Sequence, residues 1–203
     1  YGHFGFFTDL YVIGTTFFTL GLGDVVPNAG LSRAVTVIEA GVGFGVLALV
    51  IGYLPVLYQA FSRREVSISL LDARAGSPPS AVELLRRHMR DFGVEALTEQ
   101  LRSWEAWAAE LMESQLSYPS LSYFRSQHEN QSWLAGLTTI LDACALIIVG
   151  VDGIPAQQAR LTFAMARHAA VDLSQVSGTK PDEHCYMRLP EDAVAHLRTL
   201  LEQ

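Results

Sequence analysis

Thr19-Leu20-Gly21-Leu22-Gly23-Asp24 is the stretch of this 203-residue chain whose residue types and spacing do chemistry with the backbone itself. Turning successive carbonyl oxygens to one side lets them replace the water around a K⁺ ion. That geometry alternates left- and right-handed backbone, and glycine enters the left-handed conformations without steric cost. Gly21 and Gly23 stand two apart for that purpose, and Thr19 adds a hydroxyl oxygen at the inner end. G-x-G alone reads as a turn, so the flanking elements decide.

Ahead of the stretch, Thr8 to Phe18 is apolar over about eleven residues, too short for a bilayer that needs about twenty. The length fits a re-entrant helix (about 8–18), tolerated at membrane depth when buried in protein beside a water-filled path. Behind it, Val25-Val26-Pro27 leads back out. Ala40 to Tyr58 then runs without a charged residue, within a spanning helix placed at about 33–61. Arg63 and Arg64 follow at once, whereas the other side carries Asp9, Asp24, His3 and Arg33. The asymmetry places the C-terminal side in the cytoplasm. Tyr53, Tyr58 and Phe61 are expected as aromatics of the inner interface. Glu39, about one turn inside the outer end of the spanning helix, is expected to face the back of the 19–24 stretch and bond to backbone or hydroxyl groups there, the alternative being that it snorkels to the outer interface. Gly41, Gly43, Gly45 and Gly52 allow bending or close helix packing, and Pro55 favours a kink.

Thr8 to Arg64, with its T-x-G-x-G-D filter at 19–24, resembles the pore half of bacterial potassium channels of the two-helix or two-pore-domain type. The resemblance implies a potassium-selective pore for passive K⁺ transport in the plasma membrane. It implies a homo-tetramer, or a dimer if a second pore loop lies outside this chain. By match, Thr19, Leu20, Gly21, Leu22 and Gly23 supply the ion-coordinating oxygens, and Asp24 sits at the outer mouth. Gly43 falls where the family's hinge glycine is expected, with Pro55 and Glu39 as further pore-lining or gating residues. The chain departs from the pattern at Leu22, where many members carry a tyrosine that braces the filter, and in lacking the usual tryptophans before it. With Tyr1 already close to the pore helix and no initiator Met, a fragment lacking its outer spanning helix is expected.

The remainder is expected to be all-α. Residues 1–64 form the pore region, 65–79 a linker ending in Gly76-Ser77-Pro78-Pro79, and 80–203 a helical cytosolic domain of regulatory or assembly role. Ser80 and Glu83 have capping-box spacing. Val82, Leu85, Met89 and Phe92 form one stripe; Val94, Leu97, Leu101, Trp104, Ala108 and Leu111 form another past Gly93. A bundle helix accounts for them better than a coiled coil. Tyr118-Pro119 ends that helix. Ser132 to Val149 is apolar nearly all round but holds Asp142, and reads as a central bundle helix rather than a second crossing. A turn at Asp152-Gly153-Ile154-Pro155, a helix over 156–173, a polar loop at 177–182 and a last helix opened by Pro190-Glu191-Asp192 complete the pattern.

A net charge of -7 argues against nucleic acid as partner; membrane lipid is expected around the spanning helix, and further copies of the chain are what the resemblance implies. Cys144 and Cys185 lie far apart and fit a reducing cytosol. His128, His168, His184 and His196 are scattered, and no nucleophile elbow, Walker A motif or dinucleotide fingerprint occurs. Neither enzyme chemistry nor a cofactor is expected, and K⁺ in the filter is the one metal. Two other readings stay open: a membrane-anchored helical signalling or binding module with a vestigial pore, and a nonselective cation channel.

Overall fold

The computed structural model describes residues 5–150, 156–180 and 199. It divides into two units, 1–58 and 59–203. Six α-helices occur among the described residues, α1 (Phe6–Phe17), α2 (Gly30–Ala75), α3 (Ala81–Arg87), α4 (Gly93–Ser117), α5 (Trp133–Gly150) and α6 (Ala156–Val176). A π-helical turn, His88–Phe92, precedes α4, and a 3₁₀ turn, Pro119–Tyr123, follows it. No strand occurs among the described residues, so the all-α expectation holds.

The first unit contains α1, the segment after it and the first part of α2. α1 buries none of its residues. The most apolar eighteen-residue stretch of α2 is only 6% buried, although α2 is long and apolar enough to cross a membrane. Val42, Phe44, Leu49, Ile51 and Leu54 all lie exposed on it. That much bare apolar surface needs lipid or further chains to cover it. Thr36, Glu39, Ala40 and Gly43 are covered positions of α2 in this unit, spaced by three and four as on one helix face, and Leu57 is buried further along. The helix continues through Pro55.

The second unit has a core of its own, built from the end of α2 and from α3 to α6. α4 packs chiefly on α6, and α6 on α5. Leu97, Leu101, Trp104, Ala108 and Leu111 of α4 are buried, as the expected stripe requires, while Val94 is partly buried. α5 contributes Leu137, Ile140, Ala143, Cys144 and Ile147 to the same core. It too is apolar enough to cross a membrane, but 39% of it is buried, and it serves as a bundle helix. Polar ties fix the helices: Thr162 Oγ1 donates to the Leu101 carbonyl at 2.9 Å, and Gln158 Nε2 to Glu105 Oε2 at 2.6 Å. Asp142 is half-buried.

Several sequence expectations change. The segment from Glu65 to Ala75, read as linker, is the last part of α2. Its charged residues hid the stripe Ile68-Leu71-Ala75, which is fully in the core. The interhelix turn is therefore confined to residues 76–80. Ser80 is the N-cap of α3 but makes no side-chain capping bond. Glu83 turns instead to Arg86 (2.8 Å) and Arg87 (2.5 Å), whose hydrogen bonds and, after them, charges lower its carboxyl to about 2, and Arg87 donates to the Ala73 carbonyl at 2.9 Å. The buried face of α3 is Ala81-Leu84-Leu85, continued by His88 of the π-helical turn, while Met89 and Phe92 are exposed. His88 can occupy a core position because its Nδ1 bonds to the Leu84 carbonyl at 2.8 Å and its ring lies against Phe92. α6 runs three residues further than read, to Val176. The turn at 152–155, the 181–182 part of the polar loop, Cys185 and the last helix at Pro190 lie outside the described residues.

At the start of the second unit, Phe61 is buried rather than interfacial, with its ring 5.9 Å from that of Phe124. Arg64, read as one of the positive charges beyond the membrane, is only 5% exposed. Its Nη1 donates to the Leu121 carbonyl at 3.0 Å, Nη2 to the Phe124 carbonyl at 2.8 Å and Nε to Glu65 at 3.0 Å. The guanidinium thus closes the end of the 3₁₀ turn, a buried charge compensated by three acceptors.

Candidate functional site

The site is built on the end of α1. Thr19 N–H donates to the Thr16 carbonyl at 3.0 Å and Leu20 N–H to the Thr15 carbonyl at 2.8 Å. These two bonds are those of a Schellman motif, which requires a left-handed residue just past the helix. Thr19 fills that position with φ 59°, a conformation costly for a β-branched residue. Gly21 N–H also reaches the Thr15 carbonyl, at 3.3 Å. The Thr15 hydroxyl is turned back to the Val12 carbonyl at 3.0 Å.

Left-handed φ values recur at every second residue from there, with Thr19 at 59°, Gly21 at 56° and Gly23 at 76°. Leu20 and Leu22 between them do not share that sign. Sequence reasoning assigned the left-handed positions to the two glycines and missed Thr19, whose sign follows from where α1 stops. Among the described residues, none of the carbonyls of Thr19–Gly23 accepts a hydrogen bond. The amides of Thr19, Leu20 and Gly21 are committed to α1 while the carbonyls stay available as ligands. Leu20 and Leu22 are 64% and 63% exposed, so neither side chain is packed within its own chain.

Asp24 and Tyr11 are joined by a bond that the sequence did not disclose. Tyr11 Oη donates to Asp24 Oδ2 at 2.9 Å, tying the middle of α1 to the residue after Gly23. The stretch before Thr19 lacks tryptophan, and Tyr11 supplies a hydrogen bond there. Past Asp24, Arg33 Nε donates to the Pro27 carbonyl at 3.0 Å and fastens the exit loop to the first turn of α2. Glu39 is half-buried on the covered face of α2. Gly43, on the same face, lies against the backbone of Phe17. Gly41, Gly45 and Gly52 have open space where a side chain would be. Pro55 lies further along α2.

The remaining chemistry-bearing residues are dispersed. His128 and His168 are exposed, and His168 pairs with Asp172 at 3.2 Å. Cys144 is buried, and burial pushes its thiol up to about 12. His3, His184 and His196 lie outside the described residues.

Residues 1–59 match the family model described as an ion channel. No curated protein and no solved structure matches the chain. The matched stretch covers the first unit, including both helix segments, the filter-like segment and the exit loop. An ion-channel domain with an apolar, exposed helix supports a membrane protein that passes ions rather than an enzyme.

Proposed function

We propose that this chain is the pore-forming subunit of a potassium-selective channel, with Thr19, Leu20, Gly21, Leu22 and Gly23 as the K⁺-coordinating filter. The observation that carries the reading is the alternation of φ at Thr19, Gly21 and Gly23 together with the unpartnered carbonyls of the same residues. Each reversal of handedness reorients the next peptide plane, which is what a row of oxygen ligands along one path needs. One chain offers only one strand of such a path, so further copies must complete it, as a tetramer, or a dimer if a second pore loop lies elsewhere in the protein. The exposed apolar face of α2 is available for those copies and for lipid.

Transport is passive, K⁺ is the permeant ion and no cofactor is required. Asp24 stands at the outer mouth, where its carboxylate raises the local cation concentration. On this reading the membrane is the plasma membrane, as the family resemblance implies, and the basic residues that follow Ala40–Tyr58 support a cytoplasmic second unit. That unit regulates or assembles the pore. The test is uptake of K⁺ into liposomes carrying the full-length protein, with and without Ba²⁺. K⁺ uptake blocked by Ba²⁺ is expected. Absence of uptake would favour the signalling-module reading, and equal K⁺ and Na⁺ uptake the nonselective one.

A further inference from the structure

Four glycines, Gly41, Gly43, Gly45 and Gly52, lie in the apolar part of α2 and look interchangeable in the sequence. Their surroundings differ. A Cβ built on Gly43 would lie 1.9 Å from the Phe17 carbonyl oxygen, 2.8 Å from its carbon and 3.1 Å from its Cα. A Cβ on any of the other three meets nothing within 4 Å. The obstruction is backbone, which cannot rotate aside as a side chain does. To reach ordinary contact the two segments would have to separate by about 1.5 Å.

Phe17 is the last residue of α1, and Thr19 follows two residues later. The Thr15 and Thr16 carbonyls that hold the Thr19, Leu20 and Gly21 amides belong to this same last turn. We propose that Gly43 is a positioning residue of the filter: by lacking a side chain it lets α2 seat the end of α1, and so sets where Thr19–Gly23 stand. It acts through Phe17 and touches no ion. The inference rests on the filter assignment above and assigns Gly43 a role distinct from bending. A hinge glycine needs rotational freedom and would, on substitution, lose opening at unchanged selectivity. A seating glycine would, on substitution, lose selectivity.

The test is the K⁺/Na⁺ permeability ratio of the full-length protein in liposomes, alongside its open probability in planar bilayers. Gly43→Ala is expected to lower the ratio by at least about tenfold, since displacements near 1 Å at a coordinating site cost that much or more. Gly41→Ala and Gly45→Ala, with open space at each site, are expected to leave it unchanged. A preserved ratio in Gly43→Ala, with or without reduced opening, would overturn the proposal. Should Gly43→Ala not assemble, the wild-type protein carrying ¹³C at the Gly43 and Gly21 Cα decides by solid-state NMR. Exchange of K⁺ for Na⁺ is expected to move both signals, and a fixed Gly43 signal beside a moving Gly21 signal would overturn it. A wild-type protein that admits no K⁺ would instead remove the filter assignment itself.

Discussion

Gly21→Ala isolates the backbone requirement of the proposed filter from packing within the chain. The residue sits at φ 56°, and nothing lies within 4 Å of the place its methyl would take. The cost is therefore conformational, about 1–2 kcal/mol for an L-residue held left-handed. At about 1.4 kcal/mol per factor of ten, one chain shifts roughly five- to thirtyfold toward a right-handed residue 21. Each such reversal swings a carbonyl off the common side, and one misplaced chain spoils a ring. Selective K⁺ uptake into liposomes should fall by at least about tenfold, with recovery in the membrane fraction after alkaline extraction unchanged. D-alanine at the same position carries the same methyl but prefers positive φ, so the semisynthetic protein should conduct normally. An unchanged K⁺/Na⁺ ratio in Gly21→Ala, or equal loss with either enantiomer, would refute the reasoning.

Asp24→Asn should lower conductance mainly at low salt, because a carboxylate's field fades as ions screen it, and equal loss at all salt concentrations would count against a mouth role. Tyr11→Phe, which removes the donor to Asp24, should shorten the lifetime of the conducting state in single-channel records; an unaltered lifetime would mean the 2.9 Å bond does not support the filter. Arg64→Ala should destabilise the helical unit by about 3 kcal/mol in chemical denaturation, since it leaves Glu65 buried and two carbonyls without their donor. A loss below about 1 kcal/mol would place those carbonyls in contact with water instead. In a Cys185→Ser background, Cys144 should resist alkylation at pH 8, where a thiol at about 12 is thiolate in about one molecule in ten thousand. Rapid modification without denaturant would show that the α5 core is open.

The sequence disclosed features whose physics is local. Gly21 and Gly23 announce left-handed backbone because few other residues take it without cost, and the uncharged run from Ala40 to Tyr58 announces a helix by composition alone. The stripe of α4 was legible since period and burial agree along one helix. What escaped depended on partners distant in sequence or on where an element stops. Thr19 is left-handed only because α1 ends at Phe17, and no propensity of threonine suggests it. Gly43 is distinguished from Gly41 and Gly45 by Phe17, more than twenty positions away. Arg64 looked like a topological charge until the Leu121 and Phe124 carbonyls were seen at its guanidinium. His88 carries no apolar signal, and it is the bond to the Leu84 carbonyl one turn back that admits it to the core. The continuation of α2 to Ala75 was masked by charged residues set between its buried ones.

Coordination of K⁺ by the Thr19–Gly23 carbonyls is tested most directly by the reversal potential of the full-length protein in a planar bilayer, with K⁺ on one side and an equal concentration of Na⁺ on the other. A pore lined by those carbonyls should reverse far from zero, with the sign that marks K⁺ as the more permeant ion, and Ba²⁺ should block the current. A reversal potential at zero, with current flowing, would contradict it.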